Sequence, residues 1–157
     1  MKHSSQKTSN KTFRMAFSGW GLSWKGLFNN QQGEWWLISQ LLLIAGHLLP
    51  AWPALISLKL VWPKPLIFSG GFLVITGLVI VLRAFFSLGS NLSPLPDPKP
   101  EAELITTGPY KNCRHPLYQG LLIASSGTIV ALGSVLHLFL LLGLCVVLKG
   151  KAKREER

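Results

Sequence analysis

Residues 108–120 read GPYKNCRHPLYQG, and the chain ends in KGKAKREER. The first stretch gathers Tyr110, Lys111, Arg114, His115 and Tyr118 around two prolines. Pro116 suits the first position of a helix, where its missing N–H costs nothing. A helix beginning there would turn its first N–H groups, on Leu117, Tyr118 and Gln119, toward the polar side. Such a terminus attracts anions. Arg114 and Lys111 add positive charge. Tyr110 and Tyr118 can stack on a flat base or face a cation. In the second stretch, Glu155 and Glu156 can accept hydroxyls or pair with an ammonium, and Lys151 adds a cation. Brought together, these groups suit a zwitterionic, aromatic, soluble ligand beside a lipophilic second one. A helix start that binds only lipid head groups is the plainer reading of the same residues.

Whether they meet depends on what lies between them. Residues 117–148 are almost wholly apolar. As one helix this run would be about 48 Å long, against a hydrocarbon core of about 30 Å. A turn at Gly133-Ser134 instead makes two antiparallel helices and returns the C-terminal charges to His115. The rest of the chain has the same character. Hydrophobic residues make up 48% of the sequence and charged residues only 14%, against about 25% charged in soluble chains. Further apolar spans are predicted over Trp35–Leu58 and Leu66–Phe86, with Pro50 and Pro53 kinking or ending the first. Gly70, Gly71 and Gly77 would allow close helix contact in the second. The connection over 87–116 is too rich in proline to be one helix. The expected fold is an all-α membrane protein of about four transmembrane helices, the last two a helical hairpin.

Charge placement supports four spans. They put fourteen of the sixteen lysines and arginines on one side, leaving only Lys59 and Lys64 on the other. By the positive-inside rule the populated side is cytoplasmic, with both termini and the candidate site there. Residues 1–34 form a polar, basic tail, and 35–157 a single membrane domain. No apolar core marks a removable leader in the first thirty residues. The net charge of +10 is spread beside apolar spans and does not form a nucleic-acid face, so no nucleic-acid partner is expected. Cys113 and Cys145 form no disulfide framework, and no His/Cys spacing suits a metal, so none is expected. His47 and His137, inside apolar spans, read as neutral side chains bonded to a neighbouring helix. Ser125, Ser126 and Gly127 read as packing positions. The sequence leaves the oligomeric state open.

LITTGPYKNCRHPLYQG followed by KAKREE resembles the isoprenylcysteine carboxyl methyltransferase family, part of a wider membrane group that includes phospholipid methyltransferases. The upstream LGSNLSPLPDP is similar too, so the resemblance covers about residues 86–156. It implies binding of S-adenosylmethionine by Glu103, Leu104 and Ile105 before the turn, and by Tyr110 in it. His115, Pro116, Leu117 and Tyr118 at the helix start, and Glu155 near the end, complete the implied cofactor set. Lys151 stands where relatives carry a substrate-contacting arginine, and lysine lacks arginine's bidentate fork. Relatives continue past the glutamate pair with a leucine and an aromatic-rich tail, so the pair is expected on a frayed helix end here. The implied activity is methyl transfer to a lipophilic or lipid-modified acceptor among membrane lipids. The alternatives are a non-catalytic truncated relative and a membrane reductase of similar helix architecture.

Overall fold

The computed structural model describes residues 33–53, 61–88 and 106–156. Within them the chain forms four α-helices and one 3₁₀ turn. Helix α1 is Glu34–Gly46 and α2 is Lys64–Leu88. The 3₁₀ turn is Gly108–Lys111. Helices α3, Pro116–Leu132, and α4, Val135–Glu155, follow it. The N-terminal tail up to residue 32 lies outside the described residues, as do Glu103, Leu104 and Ile105.

The apolar run 117–148 is split where expected. Gly133 takes the left-handed conformation, φ 58°, and its N–H bonds back to the Ile129 carbonyl at 2.7 Å. This ends α3 in the way a left-handed glycine commonly does. The Trp62 ring lies against Gly133, and its indole N–H donates to the Val130 carbonyl at 2.8 Å. Ser134 is spent holding the turn. Its hydroxyl accepts from the Trp52 N–H at 3.0 Å and lies 3.1 Å from the Trp52 carbonyl.

Helix α1 stops earlier than the predicted span to Leu58. Past Gly46 only single-turn bonds continue, from Leu48 to Ala45 and from Leu49 to Gly46. Pro50 has no N–H to extend the ladder, and it biases Leu49 away from helical geometry. Helix α2 contains the expected span and extends it by two residues at each end. Pro63 and Pro65 fit its opening, where prolines are tolerated.

Two glycines on α2 meet two on α3. Gly70 lies against Gly127 and Ala131, and Gly77 against Gly120 and Ala124. A Cβ on any of these four glycines would come within 3.0 Å of the partner's backbone, so the two main chains are in direct contact. Gly71, also expected at a helix contact, faces open space. Helix α1 packs antiparallel on α4, with the Trp36 ring over Gly150, Leu43 beside Gly143 and Leu140 beside Gly46.

Among the described residues, polar side chains are buried beside Ala84, Leu144 and Leu148, while many large apolar side chains are exposed. Glu34, Gln40, Ser125, Ser134, His137 and Lys151 are buried. Phe68, Phe72, Phe86 and Val146 are largely exposed. Helix hydroxyls are satisfied within their own helices, as for Thr76 on the Phe72 carbonyl, Ser126 on Leu122 and Thr128 on Ala124. Lipid imposes this distribution, because it offers polar groups no partners. Helices α2 and α4 are long and apolar enough to cross a membrane; α1 and α3 are apolar but shorter.

At the end of the bundle marked by the Gly133 turn, His137 is fully buried. Its Nδ1 is 2.9 Å from the Ser134 hydroxyl, and its Nε2 is 3.3 Å from the His47 carbonyl. The His47 ring meets it edge-on. His137 therefore ties α4 to the end of α1, away from the charged mouth.

Candidate functional site

The α3–α4 hairpin carries residue 115 and residue 155 to the same end of the bundle. His115 is the residue before α3, with Pro116 buried as the first helical residue. The N–H of Gln119 is taken by the His115 carbonyl at 3.1 Å, which corrects the expectation that Gln119 would present a free donor. His115 and Tyr118 are three apart, so their side chains share a helix face. Their rings stack at 5.3 Å with an interplanar angle of 8°.

Helix α4 meets that stack with its last turn. Glu155 Oε1 accepts the Tyr118 hydroxyl at 2.5 Å, and its Oε2 lies 3.5 Å from His115 Nδ1. Glu156 Oε1 is 3.1 Å from His115 Nε2 and 3.9 Å from Arg114 Nη1. The expected fraying does not reach Glu155, which is helical; the N–H of Glu156 still bonds to the Ala152 carbonyl at 3.1 Å. One turn earlier, the Lys151 ammonium sits over the Tyr118 ring, 5.6 Å from its centre, as cations do on aromatic faces. It donates to Gln40 Oε1 on α1 at 3.1 Å.

Tyr110 joins from the 3₁₀ turn, whose Gly108 has φ 60° and lies beside Ser87 at the end of α2. Burial, then the negative charge of Glu155, then Cys113, push the Tyr110 hydroxyl up to about 12. It is therefore a protonated donor at neutral pH. Tyr110, His115, Tyr118, Lys151 and Glu155 thus form one cluster, fed by two helices and a turn. Pro116 and Leu117 contribute the start of α3. Among the described residues no group of three His, Cys, Asp or Glu could hold a metal ion.

Sequence reasoning missed Gln40. The signal was present, because a glutamine inside EWWLISQLLLIAG is a polar side chain in an apolar helix. Such residues usually face the bundle interior.

The sequence model of the phospholipid methyltransferase family matches residues 66–157, which takes in α2 from Leu66 onward, the 3₁₀ turn, α3 and α4. The chain belongs to that family. It is accordingly a methyltransferase by membership, within the wider membrane group indicated by the GPY and RHPLYQG motifs. No curated protein and no solved structure matches it. The matched region includes Tyr110, His115, Tyr118, Lys151 and Glu155, whereas Gln40, on α1, lies outside it.

Proposed function

We propose that this protein is an integral membrane methyltransferase that uses S-adenosylmethionine to methylate a phospholipid head group at the cytoplasmic mouth of its last two helices. The observation that carries this reading is the junction of His115 and Tyr118 with Lys151 and Glu155, inside the region that the phospholipid methyltransferase model matches. The family description favours a phospholipid as the lipophilic acceptor that the motifs left unspecified. It likewise favours methyl transfer over reduction.

The donor set fits S-adenosylmethionine chemically. The cofactor has a cationic, amino-acid end and an aromatic base joined through a ribose. Glu155 and Glu156 offer carboxylates for ribose hydroxyls or the ammonium. The stacked rings of His115 and Tyr118, with Tyr110, offer aromatic faces. Glu103, Leu104 and Ile105 are assigned to the cofactor by the family resemblance alone, and Pro116 and Leu117 shape the helix start. When bound, the cofactor supplies an electrophilic methyl group on its sulfonium. The residues here would hold and orient the two substrates and keep water out, and both effects lower the barrier to displacement.

The proposed topology has four crossings with both termini cytoplasmic. Helices α1 and α3 are about 20 and 26 Å long, so bilayer thinning or flanking residues must cover the remainder. Reporter fusions after Arg157 and within residues 59–65 are expected to report opposite sides. Fusions reporting the same side would overturn this topology.

The activity test is labelled-methyl transfer from S-adenosylmethionine into phospholipid vesicles by the purified protein, with the product identified by mass spectrometry. Label in a phospholipid is expected. No label in any lipid, from protein with intact helicity, would overturn the reading.

A further inference from the structure

We infer that Arg83 on α2 and Lys149 and Lys153 on α4 hold the head groups of acidic phospholipids around the mouth, as a lipid contact separate from the site of methyl transfer.

The argument begins with two exposed stripes. On α2, Phe72, Ile75 and Val79 are 70%, 64% and 48% exposed. They recur at helical spacing, and Arg83 follows Val79 by four, so it lies on the same face. On α4, Phe139, Leu142 and Val146 are exposed in the same way. Lys149 follows Val146 by three and Lys153 follows Lys149 by four, which continues that stripe through the last turns of the helix. Apolar faces of this kind are those that acyl chains cover. Each therefore runs from acyl chain to cation within one helix face.

Both stripes reach their cations at the same end of the bundle. Arg83 is five residues before the end of α2, where Ser87 lies beside the turn that carries Tyr110. Lys149 and Lys153 flank Lys151 without sharing its face, so they point away from the Tyr118 cluster. A long basic side chain at such a depth lays its stem along apolar surface and lifts its charge to the head-group level.

These three charges are not spent inside the protein. All three residues are exposed, and among the described residues none of them forms an ion pair. Helix α2 contains no acidic residue. Glu155 and Glu156 at the end of α4 are engaged by Tyr118, His115 and Arg114. The complement of an unpaired cation on a lipid-covered face is a lipid phosphate without a compensating ammonium. Acidic head groups held there set the height of α2 and α4 in the bilayer, and with it the level of the mouth.

The test is electron paramagnetic resonance of spin-labelled phosphatidylglycerol and spin-labelled phosphatidylcholine, each in phosphatidylcholine vesicles holding the full chain. The ratio of label immobilised at the protein surface gives the preference for the acidic lipid. One cation near the surface favours an acidic lipid about fivefold. Averaged over surrounding positions that lack a cation, a preference of about two- to threefold is expected at low salt. It should fall to about one in Arg83→Gln/Lys149→Gln/Lys153→Gln. It should fall likewise in 1 M salt, where the screening length is about 3 Å. Arg114→Gln, which removes a cation already paired with Glu156, should keep the preference. If circular dichroism shows the triple variant unfolded, Lys149→Gln/Lys153→Gln is read instead, and at least half of the excess over one should be lost. No preference in the unmodified protein, a preference that survives the substitutions or the salt, or an equal loss in Arg114→Gln would each overturn the inference. The measurement needs no methyl transfer, so it stands or falls apart from the proposed activity.

Discussion

Replacing Glu155 by glutamine is expected to weaken S-adenosylmethionine binding about ten- to over a hundredfold. The carboxylate is the centre of the cluster. One oxygen takes the Tyr118 hydroxyl and the other faces His115 at 3.5 Å. Losing a hydrogen bond to a charged group typically costs about 1.5–3 kcal/mol, which is the stated range in affinity. Glutamine keeps the shape and can still accept from Tyr118, so the helix end should persist. His115→Ala should weaken binding on a similar scale, because it removes the ring stacked on Tyr118 and a partner of both glutamates. His137→Ala is the control. It should leave cofactor affinity unchanged while the protein stays folded, since His137 sits among Ser134 and His47 at the opposite end. Calorimetric titration in nanodiscs, with circular dichroism for helicity, separates these outcomes. Equal affinity in Glu155→Gln and the unmodified protein would remove Glu155 from the cofactor site.

Gly77→Leu is expected to prevent recovery of folded protein, and Gly77→Ala to destabilise it by about 1–3 kcal/mol, the usual cost of overpacking. The added carbon has nowhere to go. It would meet the Ala124 nitrogen and the Gly120 carbonyl, which are backbone atoms and cannot rotate aside. Without a hydrophobic force between helices in lipid, close approach of small residues supplies much of their association. Gly71→Ala provides the contrast, since nothing lies within 4 Å of its added carbon. It should be neutral or slightly stabilising, by the ordinary helix preference for alanine. Thermal unfolding in detergent followed by circular dichroism measures both. If Gly77→Ala melted together with Gly71→Ala, the seam would be unimportant to stability.

Much of this was readable in the chain, for identifiable reasons. The break at Gly133 was legible because an overlong apolar run needs a turn and glycine tolerates the left-handed backbone. The meeting of His115 with Glu155 followed from that turn. Gly70 and Gly77, seven apart, fall on one stripe of a helix, whereas Gly71 is rotated by about 100°. The spacing thus contained the distinction, although all three glycines were expected to pack. The end of α1 was harder to place, because Pro50 and Pro53 limit a helix without stating how many turns earlier it stops. The Gln40–Lys151 bond was out of reach, since no local pattern names a partner 111 positions away.

The direct backbone contact between α2 and α3 also has a mechanical meaning. Helices locked at Gly70 and Gly77 behave as one beam, and α1 with α4 forms a second. Gly133 and Ser134 are the fulcrum, pinned by Trp52 and Trp62. The hydrogen bonds of Glu155 then bridge the two free tips. With α3 about 26 Å long, a pivot of about 5° at the fulcrum moves a tip by about 2 Å. A displacement of that size would be enough to part Tyr118 from Glu155, with almost no change required within either arm.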